Sequence, residues 1–534
     1  MVLKPSYTAW REGFRWRIPK RFNIASAIFD RNDPEQLALI DARGTAQLRA
    51  YRFGELDVLS NRLANVLIDR GLMPGDRVGI LMPQRADTAI VHLAVYKAGA
   101  VAVPLFVAFG QEATRFRLFD SGAAFVLTDQ DNAERVRAIA REREGGVVVI
   151  DVDDARFARD LEATDSWCAH EATDADDPAL IIYTSGTTGA PKGAVHGHRV
   201  LLGHLPGVEM PHEGFPQPND RFWTPADWAW IGGLLDVLLP SLYHGVPVVA
   251  GPGGKFDPHA AVGFMARHEV RNVFMPPTAL RLMRRAEVDA SAVRLRTMGS
   301  GGEPLGDDLV AWVRQSFGVE VNEFYGQTEA NLLVSGMASS FPRRGNAIGR
   351  AVPGHRVAVV GETGEPVPAN TPGLIALAMP DPVAFLGYWN DLEATRAKYQ
   401  GTWLVTGDVG RIDDEGYVTF LGRSDDLINS AGYRIGPSEV EAAIQGHPDV
   451  AQVAVVGVPD AERGEAVVAC VVLRTDTTPE PDLLQRLGER VRGSVGGHAV
   501  PRRVVVRESL PLTATGKVLR RDLRALLAVD DRQS

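Results

Sequence analysis

Residues 183–193 read YTSGTTGAPKG and follow directly on the apolar run ALII at 179–182. Hydroxyl side chains and glycines set between a strand and a proline make a loop rich in N–H and O–H donors, suited to wrapping phosphate oxygens. Lys192 supplies a cation. The loop is not a Walker A motif, G-x-x-x-x-G-K-[ST], because Lys192 follows Pro191 and precedes Gly193. A lone GTTG would be an ordinary surface loop. The whole string, running out of an apolar strand, argues for a sheet whose loops carry chemistry.

Working outward, the same passage from apolar strand into a Gly, Ser or Pro loop recurs in VPVVAGPG (246–253), VRNVFMPP (270–277) and LRTMGSGGEP (295–304). Upstream, FGELDVLSNRLANVLIDRGL (53–72) has apolar residues at helical spacing and ends at Gly71. DRVGILMP then reads as a strand, ADTAIVHLAVYKAGA as a helix and VAVPLF as a strand. This alternation predicts a parallel sheet covered on both faces, with ligands gathered at the carboxyl ends of its strands. After about residue 345, strand-length runs are separated by Gly and Pro turns, with DDEG at 413–416 as a hairpin turn. From about Asp426 a short helix (PSEVEAAIQGHPDV), two strands and a second helix follow. The predicted fold class is α/β. A large N-terminal domain, 1–424, holds parallel-rich sheets layered with helices and a β-rich subdomain at 345–424; a smaller α+β C-terminal domain covers 425–534.

The 534 residues suffice for about three packed units. A net charge of −10 argues against nucleic acid as the main partner, since phosphate backbones demand a basic face. Two cysteines, Cys168 and Cys470, are too few for a disulfide framework and fit a reducing, cytoplasmic compartment. The N-terminal residues contain no apolar run of secretory type. The segment VLLPSLYHGVPVVAGPGG from Val237 is broken by Pro240, His244, Gly245 and Pro247, so no membrane span is expected there; it reads as strand, turn and strand. His196, His198, His204 and His212 have no cysteine or carboxylate at ligand spacing, so zinc is not expected.

Further motifs follow the loop in order: GEP at Gly302, Glu303 and Pro304; YGQTE from Tyr325 to Glu329; TGD ending at Asp408; GRSDDLINSAGYRIGPSEVE; and PLTATGK ending at Lys517. With these in register, nearly the whole chain resembles the adenylate-forming superfamily of acyl-CoA synthetases, peptide-synthetase adenylation domains and luciferases. The resemblance implies an ATP/AMP site built from Thr184, Ser185, Gly186, Thr187, Thr188, Gly189, Lys192, Gly302, Glu303, Pro304, Glu323, Tyr325, Asp408, Arg423 and Arg434. It implies catalytic roles for Lys517, Thr328 and Glu329, with Glu329 binding Mg²⁺. Asp425 would be the hinge of a mobile C-terminal domain, and Gly432 would leave room for the CoA pantetheine. Such charge neutralisation suits the chemistry, because an anionic carboxylate must attack an anionic α-phosphate.

For the acyl pocket the resemblance points to Trp230, Ile231, Gly232, Gly301 and Gly326. Acetyl-CoA synthetases carry a Trp where Gly326 stands, so Gly326 and Gly301 imply a deeper pocket, most like that of medium-chain enzymes. The implied activity is conversion of a carboxylic acid, medium-chain or branched, with ATP and CoA, into acyl-AMP and then a thioester. Transfer to a carrier-protein thiol, or a luciferase-like oxidation, are the alternatives; the chain ends 17 residues after Lys517, which favours free CoA. PLTATGK also resembles segments recognised by lysine acetyltransferases, making such an enzyme an implied partner at Lys517. Oligomeric state is not legible.

Overall fold

The computed structural model of the protein describes residues 6–43, 48–143, 145–184, 191–430, 433–460, 463–474, 482–512 and 518–533, with the backbone alone at 434 and 529–533. Among the described residues the main strands form three sheets.

The first sheet has seven strands and is parallel at its centre. Arg77–Leu81 pairs in parallel with Val101–Pro104 and Phe125–Thr128, and Val101–Pro104 with Pro178–Thr184. The intervening helices bury apolar faces: Phe53–Asp69 turns Phe53, Leu56, Leu63, Val66 and Leu67 inward. It ends against Gly71 at φ +97, a left-handed conformation that glycine adopts without steric cost. The helix Ala86–Lys97 is buried on nearly every side, so its hydrophobic residues show no single face. Pro178–Thr184 then turns back antiparallel on Lys192–Gly197, with Thr184 opposite Lys192. The phosphate-type loop therefore joins two paired strands.

The second sheet has fourteen strands. Its parallel half includes Phe222–Trp223, Val248–Ala250, Asn272–Phe274, Thr297–Gly301 and Val321–Gln327. Its other half is antiparallel: Val321–Gln327 pairs with Ala330–Ser335, then Ala347–Ala351, Tyr417–Arg423, Trp403–Ile412 and Gly373–Ala378 follow. The β-rich stretch after residue 345 is thus continuous with the large sheet. One piece of it leaves that sheet: Gly387–Tyr388 pairs with Lys192–Gly197 on the edge of the seven-stranded sheet. The expected DDEG turn is present, with Asp413 Oδ1 accepting from Tyr417 N at 2.8 Å and Gly416 at φ +85.

The third sheet starts at Ile428–Ser430 and is built around the antiparallel pair Val450–Asp460 and Gly464–Leu473. It is flanked by the helices Pro437–Gln445 and Leu483–Ser494. The strand, turn and strand expected from Val237 is corrected. Leu234–Leu238 is a π-helical turn continuing into the α-helix Leu239–Tyr243, and only Val248–Ala250 is a strand. A fully buried apolar run has no polar alternation to tell helix from strand, and Pro240 sits in a first helical turn where it is tolerated. No described helix is long and apolar enough to cross a membrane. Both cysteines are buried.

Candidate functional site

The strand Val321–Gln327 organises the site because successive side chains point to opposite faces. Glu323 and Tyr325 share one face, and Phe324 lies on the other. The register shifts between Tyr325 and Gln327, and the chain turns back through Thr328 and Glu329 into Ala330–Ser335.

On the Tyr325 face the contacts converge. Tyr325 Oη donates to Asp408 Oδ2 at 2.6 Å, and Gln327 Nε2 donates to the same oxygen at 3.2 Å. Asp408 stands directly opposite Arg423 across an antiparallel pair, and Arg423 NH1 lies 3.2 Å from Asp408 Oδ1. Asp408 is 5% exposed; its backbone N–H donates to Thr406 Oγ1, which donates to the Ile375 carbonyl at 2.7 Å. Burial, with the Asp408 charge second, raises the Tyr325 hydroxyl well above its ordinary pKa, so the phenol stays protonated and donating. Arg423 reaches on to Asp425 at 3.5 Å.

Glu329 is 8% exposed and accepts from the Tyr388 hydroxyl. Lys398 Nζ lies 4.0 Å from the same Glu329 oxygen, donates to Gln327 Oε1 at 2.9 Å and to the Thr406 carbonyl at 3.2 Å. Burial lowers the Lys398 pKa, opposed mainly by Glu329. Lys192 faces this group from the other sheet, with Nζ 3.7 Å from Asp391 Oδ2 and 5.4 Å from the Tyr388 ring centroid. Thr184 Oγ1 donates to the Lys192 carbonyl at 3.4 Å.

Other expected nucleotide residues have protein partners. Glu303 accepts from Thr278 Oγ1 at 3.1 Å and Arg281 NH1 at 2.7 Å, while Arg281 NH2 donates to the Pro304 carbonyl at 3.0 Å. Gly302 adopts φ +93 with open space on its side-chain side. Glu323 is paired with Arg343 NH1 at 2.8 Å, and burial raises its pKa against that pairing. Ser185, Gly186, Thr187, Thr188, Gly189, Gly432 and Lys517 lie outside the described residues, as does the Arg434 side chain.

Trp230 is half-buried against Phe106 and Phe109, with ring centroids 5.6 and 5.7 Å away. Ile231 packs against the main core, while Trp228 is a core residue at 1% exposure. A Cβ at Gly326 would lie 2.3 Å from Leu332 N, and one at Gly301 would lie 2.5 Å from the Phe324 ring. On that side these glycines allow close packing. A Cβ at Gly232 would likewise meet the Phe274 ring at 2.8 Å, and Phe274 packs on Phe324 at 5.1 Å.

The sequence reading missed Tyr388, Lys398 and Arg343, which have no motif of their own and reach the site through long-range contacts. It also missed Asp236, which is 5% exposed and accepts from Asn331 Nδ2 at 2.6 Å. The signal for it was a single carboxylate inside the apolar run LLDVLL.

A family model described as AMP-binding enzyme matches residues 28–389, and one described as AMP-binding enzyme C-terminal domain matches residues 439–517. The acetyl-coenzyme A synthetase of Bacillus subtilis is 31% identical over 496 residues, covering 89% of this chain and 85% of the relative. The mouse mitochondrial acyl-coenzyme A synthetase ACSM3 is 30% identical over 548 residues, covering 97% and 93%. Among solved structures, ATP-bound MatB from Rhodopseudomonas palustris superposes with a TM-score of 0.84 at 30% identity, covering 94% of this chain and 98% of that one.

Proposed function

The chain belongs to the AMP-binding enzyme family of adenylate-forming acyl-CoA synthetases, AMP-forming acid–thiol ligases that use ATP and CoA, and from that premise we propose that it activates a medium-chain or branched carboxylic acid. The observation that carries the reading is the joined set of Tyr325, Asp408 and Arg423 from three strands, Glu329 from a turn and Lys398 from a helix end.

Asp408, anchored by Thr406, is suited to accept both ribose hydroxyls, and Tyr325 offers a flat ring to the purine. Arg423 lies across from Asp408, where it can follow the ribose or a phosphate. Thr184, Lys192 and the loop between them supply donors to the phosphates, with Thr328 at the turn toward the α-phosphate. Lys517 is the cation that would stabilise charge as the carboxylate attacks. Mg²⁺, if held by Glu329, would neutralise phosphate charge and orient the oxygens. Glu329 fits that ion: Mg²⁺ commonly takes one or two carboxylates and completes its shell with phosphates and water, and no cluster of three ligating side chains occurs among the described residues. Asp425 and Gly432 are proposed as the pivot and pantetheine path of the second half-reaction, in which the CoA thiolate attacks the acyl carbonyl and AMP leaves.

Pyrophosphate release should require ATP and an acid from a C2 to C12 and aryl panel, and AMP plus a thioester of the expected mass should require CoA. Thioester formation only on a carrier protein, or oxidation of the acyl group, would refute the CoA assignment.

A further inference from the structure

The arm that leads into the N-terminal domain carries a surface that the nucleotide chemistry does not use. Residues 14–18 read FRWRI, and burial alternates along them: Phe14, Trp16 and Ile18 are half-buried, while Arg15 and Arg17 are exposed. That is the period of an extended chain with one face on the body of the protein. The inward face is pinned. Phe14 and Trp16 meet edge to face at 4.7 Å, and Trp16 Nε1 donates to the Gly354 carbonyl at 3.0 Å. A Cβ at Gly354 would stand 2.5 Å from the Phe14 ring and 2.6 Å from Trp16, so the rings are held close to the backbone beneath them.

The outward face is cationic and has open space on both sides. Two grooves meet at Arg17, which lines both. One, of about 550 Å³, is lined by Trp16, Ile18, Phe22, Leu202 and Tyr243; the other, of about 410 Å³, is lined by Trp10, Phe14 and Arg15. No acidic residue lines either groove among the described residues. Arg31, also exposed, lies over the Tyr243 ring at 3.8 Å and brings a third guanidinium to the larger groove. Arg15 donates to the Glu12 and Phe14 carbonyls at 2.8 and 2.6 Å, and no ion pair joins Arg15, Arg17 or Arg31 to an acid among the described residues. Lys20 and Arg21 differ: Arg21 forms a β-bridge with Asp174, next to Asp176 and Asp177, so acids stand beside them.

A tether to the body would need only the inward rings, and a soluble polyanion would need only the cations. Apolar grooves flanked by unpaired guanidiniums match a surface that offers apolar matter and negative charge together. Because the grooves are open, a single small amphiphile would leave its outer side wet, whereas the interface of a bilayer covers them from above.

We propose that this face docks on a bilayer carrying anionic headgroups, with Arg15, Arg17 and Arg31 at the headgroup phosphates and both grooves turned to the interface. The chain as a whole carries −10, so the attraction is local and salt screens it. Docking is peripheral, and it is independent of the acid and nucleotide assignments.

The test is co-sedimentation of the full chain, without substrates, with vesicles of phosphatidylcholine alone or with about 30% phosphatidylglycerol, at about 50 mM and about 500 mM salt. Wild-type partitioning should be at least about 10-fold stronger on the anionic vesicles in low salt and should fall to the neutral level in high salt. Each arginine at such a surface is worth about 5-fold, so Arg15→Gln combined with Arg17→Gln should weaken partitioning by about 25-fold. Both side chains are exposed, so the double variant should keep the wild-type melting temperature and, without vesicles, the wild-type rate of ATP–pyrophosphate exchange. Equal partitioning on the two kinds of vesicle would overturn the proposal without any variant. Unchanged partitioning of the double variant would also overturn it. Retention on heparin with no vesicle binding would assign the arginines to a soluble polyanion and overturn it as well. Each of these failures leaves the synthetase reading standing, since vesicle binding needs neither ATP nor an acid.

Discussion

Lowering the pH from 7 to 5 should remove most of the stability of the N-terminal domain. His92, His196, His198 and His204 are 0% exposed and His212 is 1% exposed. Burial pushes His92, His196, His198 and His212 down to about 3, and His204 to about 4. Because the folded pKa lies below the unfolded value near 6.5, the unfolded chain binds more protons at every pH under that value. Stability is therefore lost as the pH falls below about 6.5. Each histidine contributes a loss of just under ~2 kcal/mol between pH 7 and 5, so the five together remove about 9 kcal/mol. Asp227 works in the opposite sense: burial pushes it up to about 6, and protonating it on acidification returns roughly 1 kcal/mol. Asp236, also raised by burial, acts in the same sense as Asp227. The balance is comparable with the whole stability of a typical domain, about 5–15 kcal/mol. Urea midpoints followed by tryptophan fluorescence should fall steeply between pH 6.5 and 5. His204 Nδ1 donates to the Val200 carbonyl at 2.8 Å, and Gln can replace that bond. His204→Gln should lower the slope by one proton, about 1.4 kcal/mol per pH unit. Equal urea midpoints at pH 7 and pH 5 would refute the reasoning.

Three further outcomes are expected. Lys517→Ala should reduce ATP–pyrophosphate exchange by about 10²- to 10³-fold, the scale of losing one charge-stabilising donor; near-normal exchange would exclude a catalytic role. Lys398→Met, which leaves Glu329 and Gln327 without their cation, should lower kcat/KM for ATP by about 10- to 100-fold, with partial recovery in Lys398→Arg. A Met variant with wild-type ATP kinetics would show that the lysine is only packing. Gly326→Ala should cost about 2 kcal/mol or more, because the Cβ meets backbone at 2.3 Å. A wild-type melting temperature for the alanine variant would contradict the close approach.

The strand and helix order was legible where local pattern decides it. Alternating runs at 77–104 fixed parallel strands, and Gly71 and Gly416 marked a helix end and a hairpin. Misreading 237–243 came from burial on all sides, which erases the periodicity that separates helix from strand. Within the site, Tyr325, Asp408 and Glu329 were readable because each sits in a short motif. Lys398 was not, since its role arises only when the strand Trp403–Ile412 brings it beside Gln327, 71 residues away in sequence. The glycines were recognised, but not their close approaches: sequence shows a missing side chain and cannot show which ring or backbone stands beside it.

The strand Gly387–Tyr388 also limits how this protein can be recombined with its relatives. It is encoded amid the antiparallel half of the large sheet, yet it completes the edge of the small sheet beside Lys192, and its tyrosine holds Glu329. Trp389 N further donates to the Gly193 carbonyl at 2.7 Å and Phe385 N to the Glu329 carbonyl at 2.9 Å. Exchanging residues 345–424 as a cassette would therefore graft a foreign border strand onto the resident loop. A heritable module would have to include 192–197 and 385–391 together, although nearly two hundred residues separate them along the gene.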